Sequence, residues 1–270
     1  MNLTSPKNVT ELLASLNFRP SKTLGQNFLI DGNILRIMLD TAEVGPEDQV
    51  LEVGPGLGVV TEGLLARAKR VVAIELDKRL YAYLREKFAG QKNLELIPGD
   101  ALDSDFNALM KSGINKVASN LPYGAGSRIL VELFESSPAP SRMAVTVQLE
   151  VADRLAARPG TKAFGLLSVL AQLDYEIEVR KIVSPTCFYP APQVKSAIVS
   201  LVRRSVPRKV RDRAVFKELV KKAFSQRRKQ IGTILRGANF EAAGINPASR
   251  PEELYVEDWC RLASALTPDT

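Results

Sequence analysis

Between Gln49 and Lys181 short apolar runs alternate with helical patterns, and this alternation constrains the chain more than any other feature. Val50-Leu51-Glu52-Val53 precedes a helical stretch from Val59 to Ala68, Val71 to Leu76 precedes Lys78 to Ala89, and Leu94 to Ile97 precedes Asp103 to Lys111. Strands that alternate with crossover helices build a parallel sheet with helices on its faces. Lys116-Val117-Ala118, Met143 to Leu149, Ile177 to Val183 and Ala197 to Val202 bring the expected sheet to seven strands. The segment Ser184 to Gln193 that joins the last two is broken by prolines and has no room for a helix, so those two are expected to pair antiparallel.

With 270 residues, 45% of them hydrophobic, the chain can bury one α/β core and still supply a small second domain. No run approaches the roughly 20 apolar residues of a membrane span. The segment Met1 to Lys7 lacks a basic flank followed by an apolar stretch, so a cytoplasmic protein with no membrane partner is expected. Cys187 and Cys260 lie far apart, which argues against a disulfide scaffold or a thiolate metal cluster. Histidine is absent, which removes the commonest general base and the commonest metal ligand, and no metal is expected.

Residues 203–237 hold thirteen Lys/Arg against two acids, whereas residues 1–202 hold 22 of each sign. A basic segment beside a balanced domain points either to a polyanion partner or to a solvated helix face. The charged stretch around Pro207 marks a boundary between residues 1–203 and a small all-helical domain over 204–270. There the spacing predicts one long helix from Arg213 to Arg236 and shorter ones over Phe240 to Ala243 and Val256 to Leu266.

Chemistry collects at the ends of the predicted strands. Gly54-Pro55-Gly56-Leu57-Gly58 sits where the first strand turns into the first helix, and glycines there let backbone approach a ligand. Glu75 closes the next strand, 21 residues after Gly54, where a carboxylate can accept both hydroxyls of a ribose. A nicotinamide fingerprint requires glycine at position 59, occupied here by Val59. The spacing Glu-x-Gly-x-Gly-x-Gly instead resembles the S-adenosylmethionine pocket of Rossmann-like class I methyltransferases. Asp100 closes the third strand in Gly99-Asp100-Ala101, and that resemblance implies that it accepts a hydrogen bond from the adenine amine of the cofactor. Helix capping is the competing reading of Glu75 and Asp100.

At the fourth strand end Asn120-Leu121-Pro122-Tyr123 offers an amide, backbone carbonyls stiffened by proline and an aromatic face, a set suited to the amino group of a flat base. Phe188, in Cys187-Phe188-Tyr189-Pro190, is read as a second aromatic facing a developing cation, with a packed phenylalanine in a rigid turn as the alternative. Methyl transfer to an adenine is the reaction these groups suit. Lys22 to Leu29 reads as a loop or lid.

Taken in order, Gly25-Gln26-Asn27-Phe28-Leu29, Gly54 to Gly58, Ile74-Glu75-Leu76-Asp77, Gly99-Asp100-Ala101, Asn120 to Tyr123, Glu150 to Arg154, Phe188 to Pro192 and Phe224 to Lys229 closely resemble the ribosomal RNA adenine dimethyltransferase family, specifically its bacterial small-subunit members. The resemblance implies S-adenosylmethionine contacts at Gln26, Asn27, Leu29, Gly54, Gly56, Glu75, Leu76, Asp100, Ala101 and Asn120. It implies as substrate two adjacent adenosines in the 3′-terminal hairpin of 16S rRNA, within a precursor of the small ribosomal subunit, each dimethylated by a monomeric enzyme. Arg227, Arg228 and Lys229 become candidate RNA contacts. The chain departs from the family where Gly124-Ala125-Gly126 replace larger residues and where Leu149 stands in place of a common lysine. Rival readings remain: a DNA adenine methyltransferase, a large-subunit RNA methyltransferase of the resistance type, and a binding protein, a ribosome-assembly or transcription factor, that keeps the fold with catalysis secondary.

Overall fold

A computed structural model describes residues 3–21 and 23–266. Lys22, at the head of the expected lid, lies outside the described residues. The chain divides into two compact units, Met1–Ala152 with Glu178–Arg203, and Asp153–Ile177 with Arg204–Thr270.

The first unit is built on β2 (Gln49–Val53), β3 (Arg70–Glu75), β4 (Leu94–Pro98), β5 (Lys116–Asn120), β6 (Arg142–Gln148), β7 (Tyr175–Val183, of which it holds the part from Glu178 on) and β9 (Ser196–Arg203), in the order β4-β3-β2-β5-β6-β9-β7. The pairs among β2 to β6 are parallel, as the alternation with helices requires. β9 runs antiparallel to β6 from Arg142↔Val202 to Gln148↔Ser196 and has β7 as its other neighbour. The chain starts at the centre in β2, moves outward through β3 and β4, and returns to β5 on the other side. That reversal opens a crevice beyond the carboxyl ends of β2 and β5, where ligands of such sheets bind.

The strands are apolar because the sheet is covered on both faces: Val50, Leu51, Val71, Val72, Ala73 and Val117 are fully buried. α2 (Gly32–Ala42) and α3 (Val59–Leu65) contribute Ile34, Met38, Leu39, Val60 and Leu64 to one apolar cluster. α1 (Pro6–Ser15) contributes Val9 and Leu13 to a second, with Phe18, Phe28, Leu57 and Leu80. α4 (Lys78–Lys87) starts where Asp77 accepts from the amides of Arg79 and Leu80. A short antiparallel pair, β1 (Phe28–Leu29) with β8 (Phe188–Tyr189), ties the lid segment to the proline loop.

In the second unit α8 (Leu166–Asp174), α9 (Arg213–Ser225) and α12 (Val256–Leu266) enclose a core of Phe164, Phe216, Val220, Phe224, Trp259 and Leu262. Sequence placed residues 153–177 with the sheet domain, yet this stretch packs with 204–270. Phe164 and α8 join the apolar core, and polar bonds add to it: buried Asp174 pairs with Arg213, and the Gln172 carbonyl accepts from Arg204 and Arg208. The helix expected over 213–236 ends at Ser225. Residues 225–230 carry no apolar side chain to bury, and the chain turns so that the amides of Ile231 and Gly232 bond to the carbonyls of Ser249 and Pro247. α10 (Ile231–Ile234) then begins a new direction, while α11 (Phe240–Ala243) and α12 fall where the spacing put them.

Candidate active site

Three consecutive glycine positions make the turn after β2 possible. Gly54, Gly56 and Gly58 have φ of +71°, +59° and +78°, in the left-handed region that side chains disfavour. At Gly56 a Cβ would also stand 3.0 Å from the Phe28 ring, and at Gly58 it would stand 2.7 Å from that of Phe88. The turn is therefore pressed between the lid segment and α4.

Glu75, at the end of β3, is 5% exposed. Its Oε2 accepts from the Gly56 amide at 3.0 Å and its Oε1 from the Asp77 amide at 2.8 Å. Burial pushes its carboxyl up to about 7 in spite of both donors. Glu52, next to the carboxyl end of β2 and 1% exposed, accepts from the Thr61 hydroxyl at 2.7 Å and is pushed by burial to about 8. Two neighbouring carboxyls thus change charge near neutrality beneath the glycine turn. Sequence reading quoted Glu52 inside the motif without giving it a role. Its signal was there: an acid within an apolar run on a central strand covered on both faces.

Both glutamates and the turn line a cavity of about 320 Å³. So do Gln26, Asn27, Leu29, Leu76, Asp100, Ala101 and Asn120, so that every residue expected to touch the cofactor lines this cavity. Asp100 caps the single turn that follows β4, accepting from the Leu102 amide through Oδ1 at 2.9 Å. Leu76 is 47% exposed, an apolar side chain left for a flat ring to cover. Gln26 donates to Asp77 at 3.2 Å and accepts from the Ser21 amide at 2.7 Å, which holds the lid segment to the end of β3.

Asn120, the last residue of β5, donates its Nδ2 to the Asn27 carbonyl at 3.0 Å. A carbonyl can only accept, so this bond fixes the orientation of the amide. Oδ1 is left as a buried acceptor with no partner. Such an atom costs roughly 1–3 kcal/mol in isolation, and it belongs to a residue on the cavity wall beside Leu121 and Pro122.

The two aromatics expected to flank the base stand off that wall. Phe188 is 2% exposed, because the β1–β8 register sets it opposite Leu29 and its ring joins the core cluster with Ile34 and Met38. The Tyr123 hydroxyl shares a hydrogen bond with Ser196 on β9, and Gly124, Ala125 and Arg128 line the cavity in its stead. Open space surrounds the position of a Gly124 side chain.

In the second unit the basic cluster separates into two kinds of side chain. Arg227 donates to the carbonyls of Lys162 at 2.7 Å and Thr161 at 3.1 Å, and its Nε lies 3.5 Å from Glu252 Oε2. Arg228 and Lys229 are exposed in the turn after α9. Among the described residues no group of His, Cys, Asp and Glu is arranged to hold a metal ion, and no helix is long and apolar enough to cross a membrane.

A mostly parallel sheet with a glycine turn, a buried Glu75 and Asp100 at or just beyond successive strand ends is that of a Rossmann-like class I methyltransferase. The family model described as ribosomal RNA adenine dimethylase matches residues 17–267, and the chain belongs to that family. It is 40% identical to the ribosomal RNA small subunit methyltransferase A of Geobacter metallireducens, over 92% of this chain and 96% of that one. The protein of the same name from Moorella thermoacetica is 39% identical over 98% and 99%. Among solved structures, a dimethyladenosine transferase from Plasmodium falciparum superposes with a TM-score of 0.73 at 24% identity, covering 87% of this chain and 95% of the other. The 23S rRNA methyltransferase ErmE gives 0.68 at 29% identity, covering 89% and 99%.

The enzyme is accordingly S-adenosylmethionine-dependent, and its cavity suits that cofactor. Glycine backbone gives close approach, Glu75 offers acceptors for ribose hydroxyls, Asp100 an acceptor for an amine, and Leu76 an apolar face.

Proposed function

We propose that this protein transfers methyl groups from S-adenosylmethionine to the exocyclic amines of two adjacent adenosines in the 3′-terminal hairpin of 16S rRNA. Each becomes a dimethyladenosine, and the enzyme works as a cytoplasmic monomer on a precursor of the small subunit. The names of the Geobacter and Moorella relatives and of the matching family support this reading. The observation that carries it is the unpartnered Asn120 Oδ1.

The cofactor supplies a methyl group on a sulfonium sulfur. The work left to the protein is to present a poor nucleophile in reactive form. An adenine amine is planar because its lone pair is shared with the ring, and it attacks well only as it becomes tetrahedral. Asn120 Oδ1 and the Leu121 carbonyl accept its N–H groups and favour that geometry, while Pro122 stiffens the backbone that carries them. Asn120 takes no proton at neutral pH. It stabilises the positive charge that develops on nitrogen, and the proton leaves to solvent.

Arg228 and Lys229 hold RNA phosphates, and the target base turns out of its strand into the pocket. Pure protein incubated with labelled S-adenosylmethionine and undermodified small subunits tests the reading by mass mapping of the RNA. Label as dimethyladenosine at two adjacent adenosines near the 3′ end is expected. Label elsewhere, or none, contradicts it.

A further inference from the structure

The glycine turn of the cofactor wall is held from behind by a lysine that no motif includes. Lys87, in the last turn of α4, extends its ammonium to the Leu57 carbonyl at 3.2 Å, to Glu62 Oε2 at 3.2 Å, and over the Phe88 ring at 4.8 Å from its centroid. The ammonium thus has a carbonyl, a carboxylate and an aromatic face around it on a side chain only 19% exposed. Leu57 lies inside the Gly-Pro-Gly-Leu-Gly turn and lines the cavity. Phe88 and Leu84, which flank Lys87 along the helix, are the side chains that close on Gly58. The C-terminal end of α4 is therefore a back plate for the turn.

Among the described residues Lys87 is also the cation that acts on Glu52. The groups facing that carboxyl are Thr61 from α3, Glu75 from β3 and Lys87 from α4: the hydroxyl and the ammonium favour the carboxylate, and Glu75 opposes it. Burial draws the lysine itself downward, against the pull of Glu62 and Glu52.

We propose that Lys87 is a positioning residue of the cofactor site: it braces the glycine turn through the Leu57 carbonyl and supplies the positive charge that Glu52 faces. The proposal rests on the cofactor reading above. The ligand is a cation, so it binds better when Glu52 is a carboxylate, and affinity rises with pH as that group ionises. Without Lys87 the turn loses its brace and the rise moves to higher pH.

Calorimetry with S-adenosylmethionine from pH 6 to 9 tests this on wild type, Lys87→Met and Lys87→Arg. Lys87→Met is expected to weaken binding about tenfold at pH 7.5, the loss of one charge-assisted hydrogen bond, and to move the midpoint of the pH dependence upward. The turnover number at saturating cofactor should fall less than about twofold, since the base pocket is untouched. Lys87→Arg should restore the midpoint by restoring the charge. A folded Lys87→Met with wild-type affinity and midpoint overturns the proposal. If Lys87→Met does not fold, Glu62→Gln decides: its side chain is 65% exposed and removes the anchor of the ammonium. At least a twofold weakening is then required, and wild-type affinity overturns the proposal. A wild-type protein that binds no S-adenosylmethionine would instead refute the cofactor reading.

Discussion

The cofactor wall and the turn at residues 227–229 are both charged, yet they hold their charges in opposite ways. On the wall, Glu75 and Asp100 sit at strand ends, and backbone amides fix the direction of each carboxylate. In the turn, three adjacent cations have different fates, since Arg227 ties its own unit together while Arg228 and Lys229 face solvent. A strand end dictates where a side chain goes, whereas a run of like charges says only that they are near one another.

Replacement of residues on each side sharpens this contrast. Glu75→Ala removes two amide-bonded acceptors together with the ribose partner, and should weaken S-adenosylmethionine binding about 100-fold by calorimetry, as two hydrogen bonds to a charged group require. Unchanged affinity in a folded variant would dissolve the distinction. Arg227→Ala leaves Glu252 Oε2 buried without a cation and should lower stability by about 2 kcal/mol in urea unfolding. Arg228→Glu with Lys229→Glu should leave stability in place, weaken RNA binding about tenfold and flatten its salt dependence. If Arg227→Ala instead behaved like this pair, the structural role given to it would be wrong.

The smallest effect is one of pH. Glu75 and Glu52 lose their protons near 7 and 8, values raised above the ordinary carboxyl range by burial. Below these values both are neutral, and above them both attract a cation. Cofactor binding therefore releases protons, and affinity should rise several-fold from pH 6 to 8.5. A fall over that range would contradict the assignment of both carboxyls to this cavity.

Sequence made the sheet and its strand ends readable because β2 to β4 each pair an apolar run with a helix-forming segment, β5 is a further apolar run, and the topology brings their carboxyl ends together. It did not reveal the β1–β8 pair, two residues a side, whose register carries the Phe188 ring into the core. No periodicity exists over so short a strand. The helices at Gly126–Glu135 and Leu166–Asp174 also went unassigned, the latter because nearly all of it is buried and its apolar residues show no single face. The break at Ser225 arose from contacts with residues 247–249, which local spacing does not contain. Asn120 was marked out by its motif, but the bond it donates to the Asn27 carbonyl, which sets the orientation of its amide, is a tertiary fact.

The catalytic reading of the Asn120 oxygen stands or falls with single-turnover methyl transfer by Asn120→Ala, with cofactor and RNA both saturating. A rate about 100- to 1,000-fold below wild type is expected, the loss seen when one preorganised group is removed from a developing charge, with RNA affinity retained. Transfer to the same adenosines within tenfold of the wild-type rate would contradict it.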